Sequence, residues 1–255
     1  MNAIELGILV PALLAGMLVL STHVPLGQQV LARGIVFVDL AIAQVAGLGV
    51  TIADAMGFEP QGWRVQAAAV IAAVLAALLL TWSERKWPKV QEALIGVLFV
   101  LSASIELLVL ANNPHGGEHL KDMLVGQILW VSPAQLWPIA ALSAVVLAVW
   151  FRWRERLGHL GFYALFALVV TQSVQLVGIY LVFASLIVPA LGARFFSRRR
   201  RLWIGYGIGF AGYVGGLLAS SLFDLPTGAM IVVALCSVLA VVTVSVEAAR
   251  GQVAR

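Results

Sequence analysis

The chain has 255 residues, of which 62% are hydrophobic and only 11% are charged. A soluble domain carries roughly 45–50% apolar and about 25% charged residues, so this composition predicts a membrane protein with several spans and no separate soluble domain. The net charge is +4, and in so apolar a chain we assign the basic residues to cytoplasmic topology signals rather than to nucleic-acid binding. The single cysteine, Cys236, excludes a disulfide framework and a cysteine metal cluster.

Nine apolar runs predict the membrane spans. A bilayer core takes about 20 apolar residues per helix. The runs lie near 5–22, 30–53, 65–82, 90–111, 134–150, 160–174, 176–193, 203–222 and 229–246. The first run has no basic segment before it, so we interpret it as a span rather than a signal peptide. A shorter run, 123–131, is too brief to cross. We expect one transmembrane domain over residues 1–255.

Residues 160–193 carry no charge. One helix of that length would exceed the bilayer thickness, so we expect two short spans that are broken between Gln172 and Gly178. Counting them as one bent element gives eight spans instead of nine. The polar residues beside this break are Thr171, Gln172, Ser173 and Gln175. Such groups satisfy the backbone at a helix break or line an aqueous cavity.

Lysine and arginine lie on alternate loops. The basic loops are 83–89, 152–156, 194–201 and the C-terminal tail, whereas 53–64, 112–122 and 224–228 contain only Arg64 and Lys121. Because cytoplasmic loops are enriched in Lys and Arg, this bias predicts that the basic loops are inside. The N-terminus is then outside.

Asp39 and Glu106 are acidic residues inside apolar runs. An Asp at the centre of a membrane helix costs at least ~2.5–3.5 kcal/mol on insertion scales. Each carboxyl therefore predicts either a cation path or gate, or an acid paired between packed helices; Glu106 could also reach the interface. Asp39 lies five positions before Gln44, and at about 100° per residue the two do not share one narrow helix face.

The outer loop at 114–119 contains His115, Glu118 and His119, with Asp122 after it. Imidazole and carboxylate at short spacing suit a borderline divalent cation such as zinc. The spacing is not that of a closed structural site. The alternatives are a transient landing site for a cation and an ordinary polar loop.

The stretch 178–228 combines an apolar helix, a basic tip and a glycine-rich helix. The helix runs past Pro189 to a cluster formed by Arg194, Arg198, Arg199, Arg200 and Arg201. We interpret this cationic tip as the place where the protein receives its energy input from the cytoplasm. The glycines at 205, 209, 212 and 216 allow close helix approach, either within one subunit or between two.

Three stretches resemble the permease subunits of the ABC-type zinc, manganese and iron uptake transporters, the ABC-3 family. They are 33–38 with Gln44 and Gly49, then 126–133, and finally 173–190 with the arginines and Asp224-Leu225-Pro226-Thr227-Gly228. Together they cover most of the chain, and the last is the most specific.

The resemblance implies an all-α, type II permease like that of the vitamin B12 importer, in the bacterial inner membrane. It implies that two permease copies form the pathway, that two ATPase subunits bind ATP and dock below, and that a metal-binding protein delivers the ion from outside. The segment 189–202 then contacts the ATPase. The chain itself binds no cofactor, and divalent metal is the transported substrate.

The substrate-facing motif departs from this family. Where the family has an Asp and a His on one helix, this chain has Leu40 and Gln44, with Asp39 displaced by one position. Because Gln is neutral and binds zinc poorly beside imidazole, a metal chelate or another small solute is an alternative substrate. An alternative of another class is a stand-alone ion channel or ion-coupled carrier that uses Asp39, Glu106 and the glutamines. The sequence has no catalytic motif, so we do not expect an enzyme.

Overall fold

The computed structural model describes residues 3–59, 62–111, 116–153 and 156–253, and every regular element in these ranges is helical. The helices are α1 (Ala3–Arg33), α2 (Val38–Ala55), α3 (Trp63–Lys86), α4 (Gln91–Leu110), α5 (Gly116–Val125), α6 (Pro133–Trp153), α7 (Gly158–Val177), α8 (Ile179–Ala193), α9 (Arg198–Phe223) and α10 (Thr227–Val253). Short 3-10 helices occupy Pro88–Val90 and Ile128–Trp130. Within the described residues, eight helices are long and apolar enough to cross a membrane, and α8 is a shorter apolar helix. The prediction of an all-α protein with eight to nine spans is confirmed.

Helix α1 is longer than its apolar run predicts. It continues through Pro25 to Arg33 and ends at Gly34, which has φ 72°. Residues 22–27 are buried, and proline is tolerated in a membrane helix when neighbouring groups satisfy the freed backbone. The first connection between two helices therefore lies at 34–37, between α1 and α2. The gap between the apolar runs 5–22 and 30–53 predicts it earlier in the chain.

The break inside 160–193 falls at Gly178. This residue ends α7 with φ 81°, and Gly126, with φ 73°, lies against it. A Cβ on Gly178 would overlap the backbone of Val125 and Gly126, so two backbones meet where no side chain fits. The predicted break is confirmed, and the run 123–131 forms the end of α5 and a short 3-10 helix instead of a span.

The described chain divides into two compact units. The first comprises Met1–Arg33, Gln127–Ala141 and Tyr180–Arg255. In it, α9 packs closely on its neighbours through glycines: a Cβ at Gly209 would meet Leu20 of α1, and one at Gly216 would meet Ile231 of α10. The four-residue glycine spacing in α9 therefore serves packing within the chain.

The second unit comprises Gly34–Gly126 and Leu142–Ile179. Helix α2 lies at its centre: 67% of its span is buried inside the protein, compared with 22% for the span that contains α4. Helix α4 turns apolar residues such as Val97 and Leu108 outwards and buries Ser102 and Glu106. A membrane helix with this distribution of residues presents its apolar side chains to lipid and its polar side chains to the protein interior.

Candidate functional site

Glu106 is the centre of a buried polar cluster in the second unit. Its side chain is fully buried, as are those of Gln44 and Thr51 to within 2%. The Gln44 amide nitrogen donates a hydrogen bond to Oε2 of Glu106, and the Thr51 hydroxyl donates one to Oε1 over 2.9 Å. Both carboxyl oxygens therefore accept a hydrogen bond from α2. Glu106 stays within the protein and does not reach towards the interface.

The geometry of α2 explains why these residues meet. Gln44 and Thr51 are seven positions apart, which is close to two full turns, so they project from one face. Gly47 lies on the same face between them. The methyl group of Met123, from α5, lies over Gly47 in the space that a Cβ would fill. The Thr51 hydroxyl is 3.5 Å from the Met123 sulfur, so the cluster carries oxygen, nitrogen and sulfur atoms from three helices.

Thr51 and Met123 were not predicted from the sequence. The seven-residue spacing from Gln44 to Thr51 was a usable signal, because it places a hydroxyl on the same helix face as the amide. Met123 gave no comparable signal. Its place in the cluster depends on how α5 packs on Gly47.

Asp39 lies elsewhere on α2. It is fully buried in the first turn of the helix, and neither carboxyl oxygen has a hydrogen-bond partner among the described residues. Five residues along a helix correspond to about 140° of rotation, so Asp39 projects away from the face that holds Gln44. At this end of α2 the amide of Phe37 donates to Oε1 of Glu92, at 3.2 Å.

Gln172 and Gln175 lie in the last two turns of α7, which ends at Val177 before Gly178. Gln172 is half-buried and Gln175 is exposed, whereas their neighbours Thr171 and Ser173 are buried. These four polar residues therefore lie immediately before the helix break, as the sequence predicts.

The predicted metal loop falls largely outside the described structure. His115 is not among the described residues, and for Glu118 and His119 only the backbone of α5 is described. Over the ranges that are described, no group of three His, Cys, Asp or Glu side chains could hold a metal ion.

The predicted coupling segment is a tight turn between α8 and α9 in the first unit. Pro189 lies inside α8, and Arg194, Arg198, Arg199 and Arg200 are exposed. Arg201 is also exposed, yet its guanidinium donates to the carbonyls of Phe196 at 3.0 Å and Arg194 at 3.2 Å. Both carbonyls belong to the connection between α8 and α9, so Arg201, from the first turn of α9, ties this turn to the start of the helix.

Phe195 is enclosed in this turn by two guanidinium groups. Arg194 lies 4.8 Å and Arg250 of α10 lies 5.6 Å from the centre of its ring. Cation–π contacts of this kind orient both partners. All five arginines of the turn are exposed, and Arg198, Arg199 and Arg200 are the ones that take no part in these contacts.

The family model of the ABC 3 transport family matches residues 5–160 and 153–246 of the chain. These matches span nearly all of the helices described above. The chain belongs to the ABC 3 transport family. It is therefore a multi-pass membrane protein of a transport family, as the resemblance in its sequence predicts.

Three relatives align over most of this ABC 3 family chain. An uncharacterized membrane protein of Synechocystis is 26% identical, over 87% of this chain and 84% of its own length. The manganese transport system membrane protein MntC of Halalkalibacterium halodurans is 25% identical over 81% and 76%. The high-affinity zinc uptake system membrane protein ZnuB of Haemophilus influenzae is 24% identical over 89% and 93%.

The fold is also that of a solved structure. PsaBC from Streptococcus pneumoniae in complex with Fab is similar with a TM-score of 0.74 and 20% identity, covering 92% of this chain and 90% of that one. At this identity the likeness concerns the fold, and it confirms the permease architecture expected from the sequence.

Proposed function

We propose that this chain is the permease subunit of an ATP-binding-cassette importer that moves a divalent metal ion, namely zinc, manganese or iron, across the bacterial inner membrane. The observation that carries the proposal is the carboxyl of Glu106, fully buried in a membrane span and held by Gln44 and Thr51. An ionisable side chain buried in a membrane protein is expensive and marks an ion path. Relatives named for manganese and zinc transport support a metal as the cargo.

The cluster in this conformation is a closed gate. Both oxygens of Glu106 are occupied by hydrogen-bond donors from α2, so an incoming cation must displace the amide nitrogen and the hydroxyl proton. Gln44 has a carbonyl oxygen on the same amide group. Rotation of that amide converts a donor to Glu106 into a ligand for a cation.

Metal approaches from the outer side and leaves at the inner side. The landing site proposed for His115, Glu118 and His119 comes shortly before Met123 in the sequence, and Met123 belongs to the cluster. Asp39 is the second carboxyl on the route, in the turn of α2 that the charge bias places at the cytoplasmic end. Gln172 and Gln175 line the path beside the α7 break.

Energy comes from partner subunits. The exposed arginines Arg198, Arg199 and Arg200, presented by the turn after Pro189, dock on an ATPase subunit that binds and hydrolyses ATP. The pathway is completed by a second permease copy, and a periplasmic or extracellular metal-binding protein supplies the ion. Arg194 shapes the docking turn through the ring of Phe195, and Arg201 does so through the carbonyls of Arg194 and Phe196.

A metal chelate is a second candidate substrate. It is favoured by Gln44, a neutral amide at the position where the resemblance implies a histidine, because an amide binds zinc poorly. An uptake assay with free metal and with chelated metal, each as a labelled ion, distinguishes the two cargoes.

The experiment for the proposed function is ATP-driven uptake by the complete transporter in proteoliposomes. Glu106→Gln keeps the size of the side chain and removes its charge, so we expect it to abolish divalent-metal uptake while the complex with the ATPase remains intact. Ser104→Ala, at an exposed position of the same helix, is the matched control. Uptake at the wild-type rate by Glu106→Gln would refute the role of this cluster.

Docking is tested separately from transport. Charge reversal of Arg198, Arg199 and Arg200 to Glu leaves the hydrogen bonds of Arg201 in place, so we expect the permease to fold and to lose co-purification with the ATPase. Reversal of Arg85 on another basic loop is the control. A variant that retains both the complex and full transport would contradict the coupling role.

A further inference from the structure

Met123 contributes the sulfur atom of the Glu106 cluster. Its methyl group occupies the space above Gly47, and its sulfur lies 3.5 Å from the hydroxyl of Thr51. A side chain at position 47 would displace it, because a Cβ there would overlap the methyl carbon. Gly47 of α2 therefore leaves the space that the side chain of Met123 occupies, between Gln44 and Thr51, which donate hydrogen bonds to Glu106.

The oxygen atoms of the cluster do not discriminate well among divalent cations. A carboxylate, an amide carbonyl and a hydroxyl are ligands that Mg²⁺, Ca²⁺ and Mn²⁺ all accept. Magnesium and calcium are hard ions that take oxygen ligands, whereas a thioether is soft and favours transition metals. One sulfur beside three oxygen groups therefore shifts the preference of a site towards transition metals.

Packing is the simpler explanation for a methionine at this place. Methionine is flexible and fills irregular gaps in protein interiors. That explanation accounts for the methyl group on Gly47, but it does not require a sulfur within reach of Thr51. Thr51 also holds Oε1 of Glu106 at 2.9 Å, so one hydroxyl contacts both the carboxylate and the thioether.

We infer that Met123 is a specificity-determining ligand, whose thioether joins Glu106, Gln44 and Thr51 around the passing ion and selects a first-row transition metal over Ca²⁺ and Mg²⁺. This inference rests on the proposed function, since it concerns the same cluster. It assigns the selectivity to α5, the helix that follows the outer loop. A cation that reaches Glu106 then meets the sulfur at the same point as the carboxylate.

The test measures Mn²⁺ binding to the complete transporter in lipid nanodiscs, by the loss of the electron paramagnetic resonance signal of free Mn²⁺. Ca²⁺ is the competitor. Met123→Leu keeps the apolar contact with Gly47 and removes the sulfur. We expect Mn²⁺ affinity to fall roughly tenfold, the lower end of what loss of a supporting partner at a metal site costs, with Ca²⁺ affinity unchanged. Met56→Leu, an exposed methionine at the end of the same α2 helix, should behave as wild type.

A second variant separates ligation from packing. Met123→Cys retains a sulfur that becomes a thiolate ligand, so we expect Cd²⁺ and Zn²⁺ affinity to rise relative to Mn²⁺. If Met123→Leu misfolds, this variant decides the question alone. Unchanged ratios of Mn²⁺ to Ca²⁺ in Met123→Leu, unchanged ratios of Cd²⁺ to Mn²⁺ in Met123→Cys, or no Mn²⁺ binding by wild type would overturn the inference.

The two proposals fail in different ways. A complete transporter that takes up no divalent metal with ATP refutes the proposed function. ATP-driven metal uptake together with unaltered ion selectivity in either folded Met123 variant refutes the thioether ligand alone.

Discussion

Glu106 and Asp39 are both fully buried carboxyls in membrane spans of the second unit, yet their surroundings differ. Glu106 accepts hydrogen bonds from two side chains of α2. Asp39, on α2 itself, has no hydrogen-bond partner among the residues that the structure describes. A buried acid with two donors is held in one position, whereas a buried acid without them is costly in the folded state. Glu106 thus belongs to a hydrogen-bonded cluster of several helices, whereas burial alone does not make Asp39 part of such a cluster.

The largest effect is expected from Glu106→Ala. This change leaves the Gln44 amide and the Thr51 hydroxyl without their acceptor, and each unsatisfied buried donor costs about 1–3 kcal/mol. We expect the free energy of unfolding in mixed micelles to fall by about 2–4 kcal/mol. Tryptophan fluorescence during unfolding by a denaturing detergent measures it. A loss below about 0.5 kcal/mol would show that the two donors have other partners.

Asp39→Leu should act in the opposite direction on stability. Removing a buried polar group that lacks a partner relieves part of its desolvation cost, so we expect the free energy of unfolding to rise by about 1 kcal/mol. Metal uptake should nevertheless fall, because the proposed inner step loses its carboxyl. Unfolding and uptake are measured on one preparation. A fall in the free energy of unfolding as large as that of Glu106→Ala would show that the two buried acids do not differ in their effect on stability.

The smallest effect is expected from Thr51→Val. The exchange preserves shape and removes one hydrogen bond to Glu106, which contributes about 1 kcal/mol. Thr81→Val is the matched control, since Thr81 is also buried but, among the described residues, its hydroxyl donates to the carbonyl of Ala77 within its own helix. A double-mutant cycle with Glu106→Gln should give a coupling energy of about 0.5–3 kcal/mol for Thr51. Strict additivity would show that the two residues act independently.

Several features of the site follow from the chain alone. Residue types and their places on helices identified Glu106, Asp39 and Gln44 as polar groups within spans, and the spacing of Asp39 and Gln44 already put them on different faces. The sequence of one helix does not specify which helices pack beside it. The pairing of Gln44 with Glu106 joins residues 62 positions apart, and Met123 reaches Gly47 from α5. Whether His115, Glu118 and His119 form a landing site stays a prediction.

The helix count and the family were determined by the sequence, because bilayer thickness imposes the length of each apolar run and the last motif keeps its order and spacing. The length of α1 was not, since the gap between the apolar runs 5–22 and 30–53 predicts a boundary there, whereas the helix continues through the buried residues 22–27 to Arg33. Only the tertiary structure decided which polar groups meet. Helical periodicity assigns each side chain to a face, but the partner of that face depends on how glycines such as Gly47 and Gly178 let other segments approach.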